Sequence, residues 1–174
     1  ILDIGSGSGE NSIHLSLSNY NNKIIACELF KDGNINLVKK IKENNIKNIR
    51  LYNGNVLEFL DLLGIKELFN EIWILFPDPW PKNRHHKRRL INNRFIKILS
   101  SYLKNNGKLF IVSDSDSYKK AIFMNIYDSK SIFFWKNQRV SEWNYECLGF
   151  PETKFYKKAK KSNRNSILFE LVKI

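Results

Sequence analysis

Apolar and polar residues alternate along the chain in short blocks of two kinds. Continuous apolar runs predict buried strands at the start of the chain and at residues 23–27, 49–52, 72–76, 108–113 and 166–172. Apolar residues three or four positions apart predict helices after the first strand and at residues 31–45, 56–63, 90–103 and 118–127. Residues 128–150 are rich in aromatic side chains and predict no single element. This alternation of strands and helices favours a doubly wound, mostly parallel α/β sheet in one domain.

The first predicted strand runs into glycines at alternate positions, beginning with Gly5 and Gly7, before a helical pattern. Glycines there allow the backbone to approach a ligand and expose amides at a helix N-terminus. A dinucleotide fingerprint needs its third glycine at position 10, which is Glu10, and this disfavours a nicotinamide dehydrogenase. Glu28 follows the second strand about 20 residues later, where an acid can bind the ribose hydroxyls of an adenosyl cofactor. The alternative is that Glu28 only caps the next helix.

A single acid, Asp78, stands between Pro77 and Pro79 directly after the strand predicted at 72–76. Open α/β sheets bind ligands beyond the carboxyl ends of their strands. The two prolines restrict the backbone, so the carboxylate is expected to be held in place. Trp80 and a dense basic run follow. A fixed acid beside a cationic strip suits an enzyme that acts on one base of a nucleic acid, although Asp78 could also be a simple turn residue.

Positive charge is concentrated in two stretches. Residues 82–89 carry five Lys or Arg, residues 154–164 carry six, and neither stretch has an acid. Together they account for nearly all of the net charge of +12. Clustered positive charge favours a polyanionic partner such as nucleic acid. The alternative is a lysine-rich composition whose side chains are only solvated.

Other features bound the function. No apolar run approaches the roughly 20 residues of a membrane span, and no secretory signal is visible. Cys27 and Cys147 are too few for a disulfide framework, and Cys27 lies in an apolar strand, which suggests a reducing compartment. Together these features predict a cytoplasmic protein without membrane association. His85 and His86 have no metal-ligand pattern around them, so no metal site is expected. Because the chain starts with Ile inside a strand, we expect residues 1–174 to be a single domain that lacks its natural N-terminal segment.

The block at residues 76–89, FPDPWPKNRHHKRR, resembles the signature of the bacterial-type tRNA (guanine-N7-)-methyltransferases. Thr153-Lys154-Phe155, the basic stretch after it and the last strand match as well, so the resemblance runs in order over essentially the whole chain. It implies a Rossmann-like, doubly wound, mostly parallel seven-stranded sheet typical of class I methyltransferases. It also implies S-adenosylmethionine as cofactor and tRNA as partner, with methylation at guanine N7, mostly position 46 of the variable loop. Monomer and homodimer both remain open.

The resemblance also assigns roles by position. It implies cofactor binding by Asp3, Gly5, Gly7, Glu28, Asn55 and Asp78, with Asp78 also the catalytic residue. It implies substrate contact by Lys82, Asp114, Thr153, Lys154, Phe155 and Tyr156. It implies RNA contact by Arg84, His85, His86, Lys87, Arg88 and Arg89. Two positions depart from the family pattern, since Tyr156 stands where Glu is usual and Asn55 where an acid is common.

The chemistry of methylation at guanine N7 is consistent with an aspartate at position 78. Guanine N7 has an exposed lone pair and no proton to lose, so its methylation needs a base held still and an aligned methyl donor. A carboxylate can accept hydrogen bonds from the ring N–H and the amino group of guanine, and can stabilise the growing positive charge. Asp78 is the first candidate and Asp114 the second, although Asp114 could instead cap the next helix.

The same residues leave two further alternatives open. One is an RNA-binding module of the same fold without turnover. The other is a class I methyltransferase for another RNA or a small molecule.

Overall fold

The computed structural model describes residues 1–18 and 20–174, without the side chains of residues 147 and 148. The described residues form one sheet of seven strands: β1 (Leu2–Ile4), β2 (Ile24–Glu28), β3 (Ile49–Asn53), β4 (Phe69–Leu75), β5 (Leu103–Ser113), β6 (Phe133–Trp135) and β7 (Ile167–Lys173). Their order in the sheet is β3-β2-β1-β4-β5-β7-β6. Strands β1 to β5 are parallel, and β7 is antiparallel to both of its neighbours, β5 and β6. The predicted doubly wound, mostly parallel sheet is confirmed.

Helices cover both faces of this sheet. The helices of the described residues are α1 (Glu10–Ser18), α2 (Lys31–Glu43), α3 (Val56–Leu63), α4 (Asn93–Tyr102), α5 (Asp116–Asp128) and α6 (Lys154–Lys161). Apolar residues of α3, α4 and α5 pack on one face, and those of α1, α2 and α6 pack on the other. Successive residues of β4 alternate between these faces, since Ile72 and Ile74 belong to the first cluster and Trp73 to the second. None of the described helices is long and apolar enough to cross a membrane.

Several element boundaries differ from the predictions. Strand β4 ends at Leu75, because Phe76 has a left-handed backbone with φ of 52°. Helix α4 begins only at Asn93, because the side chain of Asn92 caps it by accepting a hydrogen bond from the Phe95 N–H. Helix α6 was not predicted, since only Tyr156 and Ala159 of its eight residues are buried and the apolar pattern is correspondingly sparse.

The position of the site follows from the strand order. Strands β1 and β4 are neighbours, but the chain leaves β1 into α1 on one face and leaves β4 toward α4 on the other. The two connections diverge at the carboxyl ends of these strands and leave a crevice between them, which is where doubly wound folds bind their ligands.

Candidate active site

A cleft of about 620 Å³ opens at the carboxyl ends of β1 and β4. Three segments that the sequence singles out line it. They are the glycine loop after β1 (residues 5–9), the segment from Phe76 to Asp78 after β4, and the start of α6 at Thr153, Lys154 and Phe155. Glu28 and Asn55, from the ends of β2 and β3, complete one side. These groups are far apart in sequence, and the parallel sheet brings them together.

The glycine loop presents bare backbone to the cleft. Gly5 and Gly7 have φ of 70° and 55°, values that favour glycine. A Cβ at either position would meet nothing within 4 Å, so both positions face open space. Gly33 of α2 packs so closely below the loop that a Cβ on it would lie 2.6 Å from the Gly7 carbonyl oxygen. The loop therefore fits the close approach of an adenosyl cofactor.

Glu28 both supports the loop and borders the cleft. One carboxylate oxygen accepts a hydrogen bond from the Gly7 N–H and the other from the Phe30 N–H, each at 2.8 Å. Phe30 is the N-cap residue of α2, so the helix-capping interpretation is partly right. Each carboxylate oxygen has a second lone pair, which leaves acceptor capacity for ribose hydroxyls. Capping the helix therefore does not exclude the predicted cofactor contact.

Asp3 supports the loop from within the protein. It is 1 % exposed and accepts hydrogen bonds from Asn11 Nδ2 at 3.0 Å and from the Ser12 hydroxyl, so it ties β1 to the start of α1. Burial raises the pKa of Asp3 to about 6, although these two hydrogen bonds act to lower it. The residue lines the cleft, but its carboxylate is committed to the protein. We therefore interpret Asp3 as a support of the loop and not as the main contact to a cofactor.

Asn55 lies at the opposite side of the cleft from the segment after β4. Its side-chain oxygen caps α3 by accepting a hydrogen bond from the Leu57 N–H at 2.8 Å. The cap fixes the orientation of the amide, which is half-buried and borders the cleft. A fixed amide at this point can still bond to an adenine edge.

The segment that carries Asp78, residues 76–80, is strained at both ends. Phe76 and Trp80 have φ of 52° and 43°, and a bulky residue in such a conformation costs about 1–3 kcal/mol. Asp78 itself is exposed, lines the cleft, and makes no hydrogen bond or ion pair with any of the described residues. Strained backbone recurs at functional sites. The structure thus offers a carboxylate that is held by its backbone and open to a ligand.

Trp80 does not belong to the core. It lines the cleft and packs edge-to-face on His85, with ring centroids 5.8 Å apart. The guanidinium of Arg88 lies 4.9 Å from its ring centroid, at the distance of a cation–π contact. Trp80 therefore joins the strained segment to the basic run that follows it.

The basic run forms a 3₁₀ helix, Asn83–Arg88, at the rim of the cleft. Lys82, Arg84, Lys87 and Arg88 are exposed, whereas His85 and His86 are half-buried. Arg84 donates a hydrogen bond to His85 Nε2 at 3.4 Å, and the buried Nε2 of His86 has no partner among the described residues. No group of three or more His, Cys, Asp or Glu in the described part of the chain could hold a metal ion.

Arg89 differs from the rest of this run. It is 7 % exposed, and its guanidinium donates hydrogen bonds to Pro79 and Ser117 inside the protein. The prediction that Arg89 contacts RNA does not fit this position, because its donors are used and solvent hardly reaches it. Its place in the sequence, directly before the apolar Leu90 and Ile91, was the one hint of burial.

The C-terminal substrate segment is split by α6. Thr153 is the N-cap of this helix and accepts a hydrogen bond from the Tyr156 N–H at 3.1 Å, while Lys154 and Phe155 are exposed and line the cleft. Tyr156 is buried on the other side of the helix, 4.7 Å from the Tyr145 ring, and its hydroxyl donates to Glu146. The predicted substrate contact by Tyr156 does not fit this orientation. A helix turns successive side chains by about 100°, so adjacent residues face different surroundings.

Asp114 follows β5 and is paired within the protein. Its carboxylate lies 2.9 Å from Arg164 Nε, with 18 % of the side chain exposed. It does not cap α5, whose N-cap is Ser115. A substrate would have to compete with Arg164 for this carboxylate, so Asp78 is the better placed of the two aspartates.

Lys40 is a supporting residue that the sequence did not reveal. Its ammonium donates hydrogen bonds to the Ser8 carbonyl at 2.7 Å and to Glu10 at 3.1 Å, which links α2 to the far side of the glycine loop. A lysine in an amphipathic helix usually points to solvent, so no local signal distinguishes it.

Comparison with known proteins places the chain in a family. Residues 1–168 match a family model described as a putative methyltransferase. The chain is 32 % identical to the tRNA (guanine-N(7)-)-methyltransferase of Erythrobacter litoralis over 91 % of its own length and 68 % of that protein. It is 32 % identical to the corresponding protein of Rhizobium meliloti over 95 % of its length and 70 % of that protein, so it spans about two thirds of such relatives.

A solved structure shares the fold. The crystal structure of a putative methyltransferase from Streptococcus mutans in complex with SAH superposes with a TM-score of 0.62 at 16 % identity, over 99 % of this chain and 87 % of that one. The fold, the cleft and the sequence relatives agree, and the chain belongs to the tRNA (guanine-N7-)-methyltransferase family.

Proposed function

We propose that this protein transfers a methyl group from S-adenosylmethionine to N7 of guanine in tRNA, with guanine 46 of the variable loop as its target. The observation that carries the proposal is Asp78, an exposed carboxylate that has no partner among the described residues and lines the same cleft as the glycine loop and Glu28. Membership of the tRNA (guanine-N7-)-methyltransferase family supports the same reaction. We expect the reaction to take place in the cytoplasm.

The side of the cleft formed by β1, β2 and β3 suits the cofactor. S-adenosylmethionine, when bound, supplies a methyl group made electrophilic by its sulfonium. Glu28 would accept hydrogen bonds from the ribose hydroxyls, and Asn55 would bond to the adenine edge. The bare backbone at Gly5 and Gly7 leaves room for the cofactor to lie against the loop.

The side formed by the segment after β4 suits guanine. The Asp78 carboxylate would accept hydrogen bonds from the ring N–H and the amino group of the base. Adenine lacks that pair of donors, so the same contact selects guanine. A fixed carboxylate would also stabilise the positive charge that develops on the ring as N7 is methylated. No proton has to leave N7, so Asp78 acts by holding and stabilising the base.

Two exposed basic surfaces border the cleft and would bind the RNA backbone. The first basic surface consists of Lys82, Arg84, Lys87 and Arg88, and the second consists of Lys154, Lys157, Lys158 and Lys161 on α6. Arg88 of the first and Lys154 of the second line the cleft itself. Lys160 is paired with Glu146 and Glu152, and Arg164 is paired with Asp114, so these two cations are less available for phosphates. The two basic surfaces would together hold the strand from which the target base enters the cleft.

The test is methyl transfer from labelled S-adenosylmethionine to unmodified tRNA by the natural full-length protein, with the product nucleoside identified by mass spectrometry. We expect 7-methylguanosine, and we expect it to disappear when guanine 46 is replaced by adenine. Retention of 7-methylguanosine in that tRNA would place the target elsewhere. A different methylated nucleoside would identify another class I methyltransferase. Binding of S-adenosylhomocysteine and tRNA without any transfer would indicate an RNA-binding module. The presence of Tyr156 where the family usually has Glu is the feature of the sequence that favours this alternative.

A further inference from the structure

We infer that Arg89 is a positioning residue for Asp78, which it holds through the backbone of Pro79, and that it does not bind RNA. This inference rests on the proposed function, because it gives Arg89 a part in the same reaction. It separates Arg89 from the basic residues before it, although all of them belong to one continuous run in the sequence.

The guanidinium of Arg89 bridges two segments that are distant in sequence. Nε donates to the Pro79 carbonyl at 2.8 Å, while one terminal nitrogen donates to the Ser117 hydroxyl at 2.8 Å and the other to the Ser117 carbonyl at 3.3 Å. The guanidinium also lies 4.8 Å from the centroid of the Tyr118 ring. The segment that carries Asp78 is thus tied to the start of α5.

The α5 side of this bridge is well anchored. Tyr118 is fully buried, and its hydroxyl accepts a hydrogen bond from the Ile91 N–H at 2.8 Å. Arg89 therefore lies against a Tyr118 ring that Ile91 fixes in place, and it donates hydrogen bonds to Ser117 of the same helix. An anchored guanidinium can transmit this rigidity to Pro79, the residue that directly follows Asp78.

The Asp78 segment needs such outside contacts. Pro77 and Pro79 have no backbone N–H to donate, and the left-handed residues Phe76 and Trp80 are strained. Strained backbone persists only when the surrounding structure fixes it. The Phe76 N–H donates to the Val112 carbonyl at 2.9 Å before Asp78, and Arg89 supplies the contact after it. Both sides of the carboxylate are thus fixed from neighbouring elements.

Lysine could not replace this bridge. An ammonium on a flexible stem is a point charge, whereas the planar guanidinium donates in several fixed directions at once. The comparison of Arg89→Lys with Arg89→Met therefore separates the geometry of the side chain from its charge. Arg84→Met is the matched variant for a phosphate-binding role, since Arg84 lies in the same run and is exposed.

The experiment measures four quantities on the full-length protein: kcat at saturating tRNA and cofactor, the Kd for S-adenosylhomocysteine, the Kd for tRNA as a function of salt, and hydrogen exchange of residues 76–90. For both Arg89 variants we expect kcat to fall by about 100-fold, because small misplacements of reacting groups have effects of that size. We expect faster exchange in the segment, with both Kd values and the salt slope unchanged. Arg84→Met should weaken tRNA binding and reduce the salt slope by about one unit.

Two further variants keep the inference testable if Arg89 variants fold poorly. Ser117→Ala removes one acceptor of the bridge from an exposed position and should give a smaller loss of kcat with unchanged tRNA affinity. In an Asp78→Asn background, Arg89→Lys should lower kcat little further, since both changes disable the same contact between Asp78 and the base.

Clear outcomes would overturn the inference. Wild-type kcat and wild-type exchange in Arg89→Lys would show that the bridge does not position Asp78. Weaker tRNA binding with a lower salt slope in Arg89→Met, with unchanged exchange, would make Arg89 a phosphate contact. If the wild type itself formed no 7-methylguanosine, the proposed function would fail, while the exchange comparison would still decide whether Arg89 holds the segment.

Discussion

The carboxylate of Glu28 accepts a hydrogen bond from the backbone N–H of Gly7 at 2.8 Å. The acid at the end of β2 is thereby coupled directly to the glycine loop after β1. A ligand that bonds to Glu28 also meets a loop whose shape Glu28 helps to set, so recognition of the ribose and positioning of the loop depend on one side chain.

Glu28→Gln should weaken cofactor binding. The Gly7 and Phe30 N–H groups bond to different carboxylate oxygens, and the glutamine side chain replaces one of these oxygens with an NH2 donor and also loses the charge. Hydrogen bonds to charged groups contribute about 1.5–3 kcal/mol, which predicts a 10- to 100-fold higher Kd for S-adenosylhomocysteine by calorimetry. Glu43→Gln, an exposed change in the last residue of α2, is the control. A wild-type Kd for Glu28→Gln would contradict the assignment.

Gly33→Ala should disturb the loop from below. The added Cβ would lie 2.6 Å from the Gly7 carbonyl oxygen, and backbone cannot move aside as a flexible side chain can. We expect a loss of about 1–3 kcal/mol in the free energy of unfolding, as for other overpacked sites, together with weaker cofactor binding. Chemical denaturation and calorimetry measure the two effects. Lys39→Ala, an exposed change on the same helix outside the cleft, should leave the free energy of unfolding nearly unchanged.

Asp78→Asn should impair turnover far more than binding of the cofactor. The amide keeps the shape of the carboxylate but cannot offer two acceptors to guanine or stabilise positive charge on the ring. Loss of one group that stabilises a transition state typically lowers kcat by about 100- to 1000-fold. Asp61→Asn, an exposed change on α3, is the matched control. Turnover like that of the wild type in Asp78→Asn would remove this residue from the mechanism.

Loss of charge from either basic surface should weaken tRNA binding in a salt-dependent way. The pairs Arg84→Gln with Lys87→Gln, and Lys157→Gln with Lys158→Gln, each remove two exposed cations. We expect each pair to raise the Kd for tRNA and to reduce the slope of log K against log salt by about two units. Lys23→Gln with Lys47→Gln removes two exposed cations just before β2 and β3, at the amino edge of the sheet opposite the cleft, and should change neither quantity. Equal effects from all three pairs would mean that binding follows net charge alone.

Asp3→Asn should alter how stability depends on pH. Burial raises the pKa of Asp3 from 3.8 to about 6, so the folded state holds this proton more tightly than the unfolded chain does. The stability that Asp3 contributes is complete below its unfolded pKa and is lost as pH rises through about 6. The free energy of unfolding of Asp3→Asn, measured relative to wild type, should therefore rise by on the order of 2–3 kcal/mol as the pH increases from 3.5 to 7.5. Urea denaturation at both pH values measures the difference, and an Asp3→Asn difference that does not vary with pH would contradict the shifted pKa.

Local patterns in the sequence determined most of the framework. The apolar run at residues 49–52 and the helical spacing at 56–63 identified β3 and α3 nearly to the residue, because burial of a strand or helix face dictates those periods. The apolar run at 72–76 located β4, although this strand begins three residues earlier and ends one residue earlier than predicted. The glycines after β1 and the Asp78 segment were placed at carboxyl ends of strands for the same reason. Helix α6 was not predicted, because a short helix with two buried residues leaves almost no periodic apolar pattern in the sequence.

Only the tertiary structure decided which of the candidate residues face the cleft. Arg88 and Arg89 are adjacent and chemically identical, yet one stacks on Trp80 at the rim and the other bonds to Ser117, 28 residues away. Asp114 is paired with Arg164 across 50 residues, and Tyr156 is turned toward Glu146. Composition and spacing specify that a side chain can donate, accept or carry charge. Whether that capacity is used inside the protein or remains open to a ligand depends on partners that the sheet brings together from distant parts of the chain.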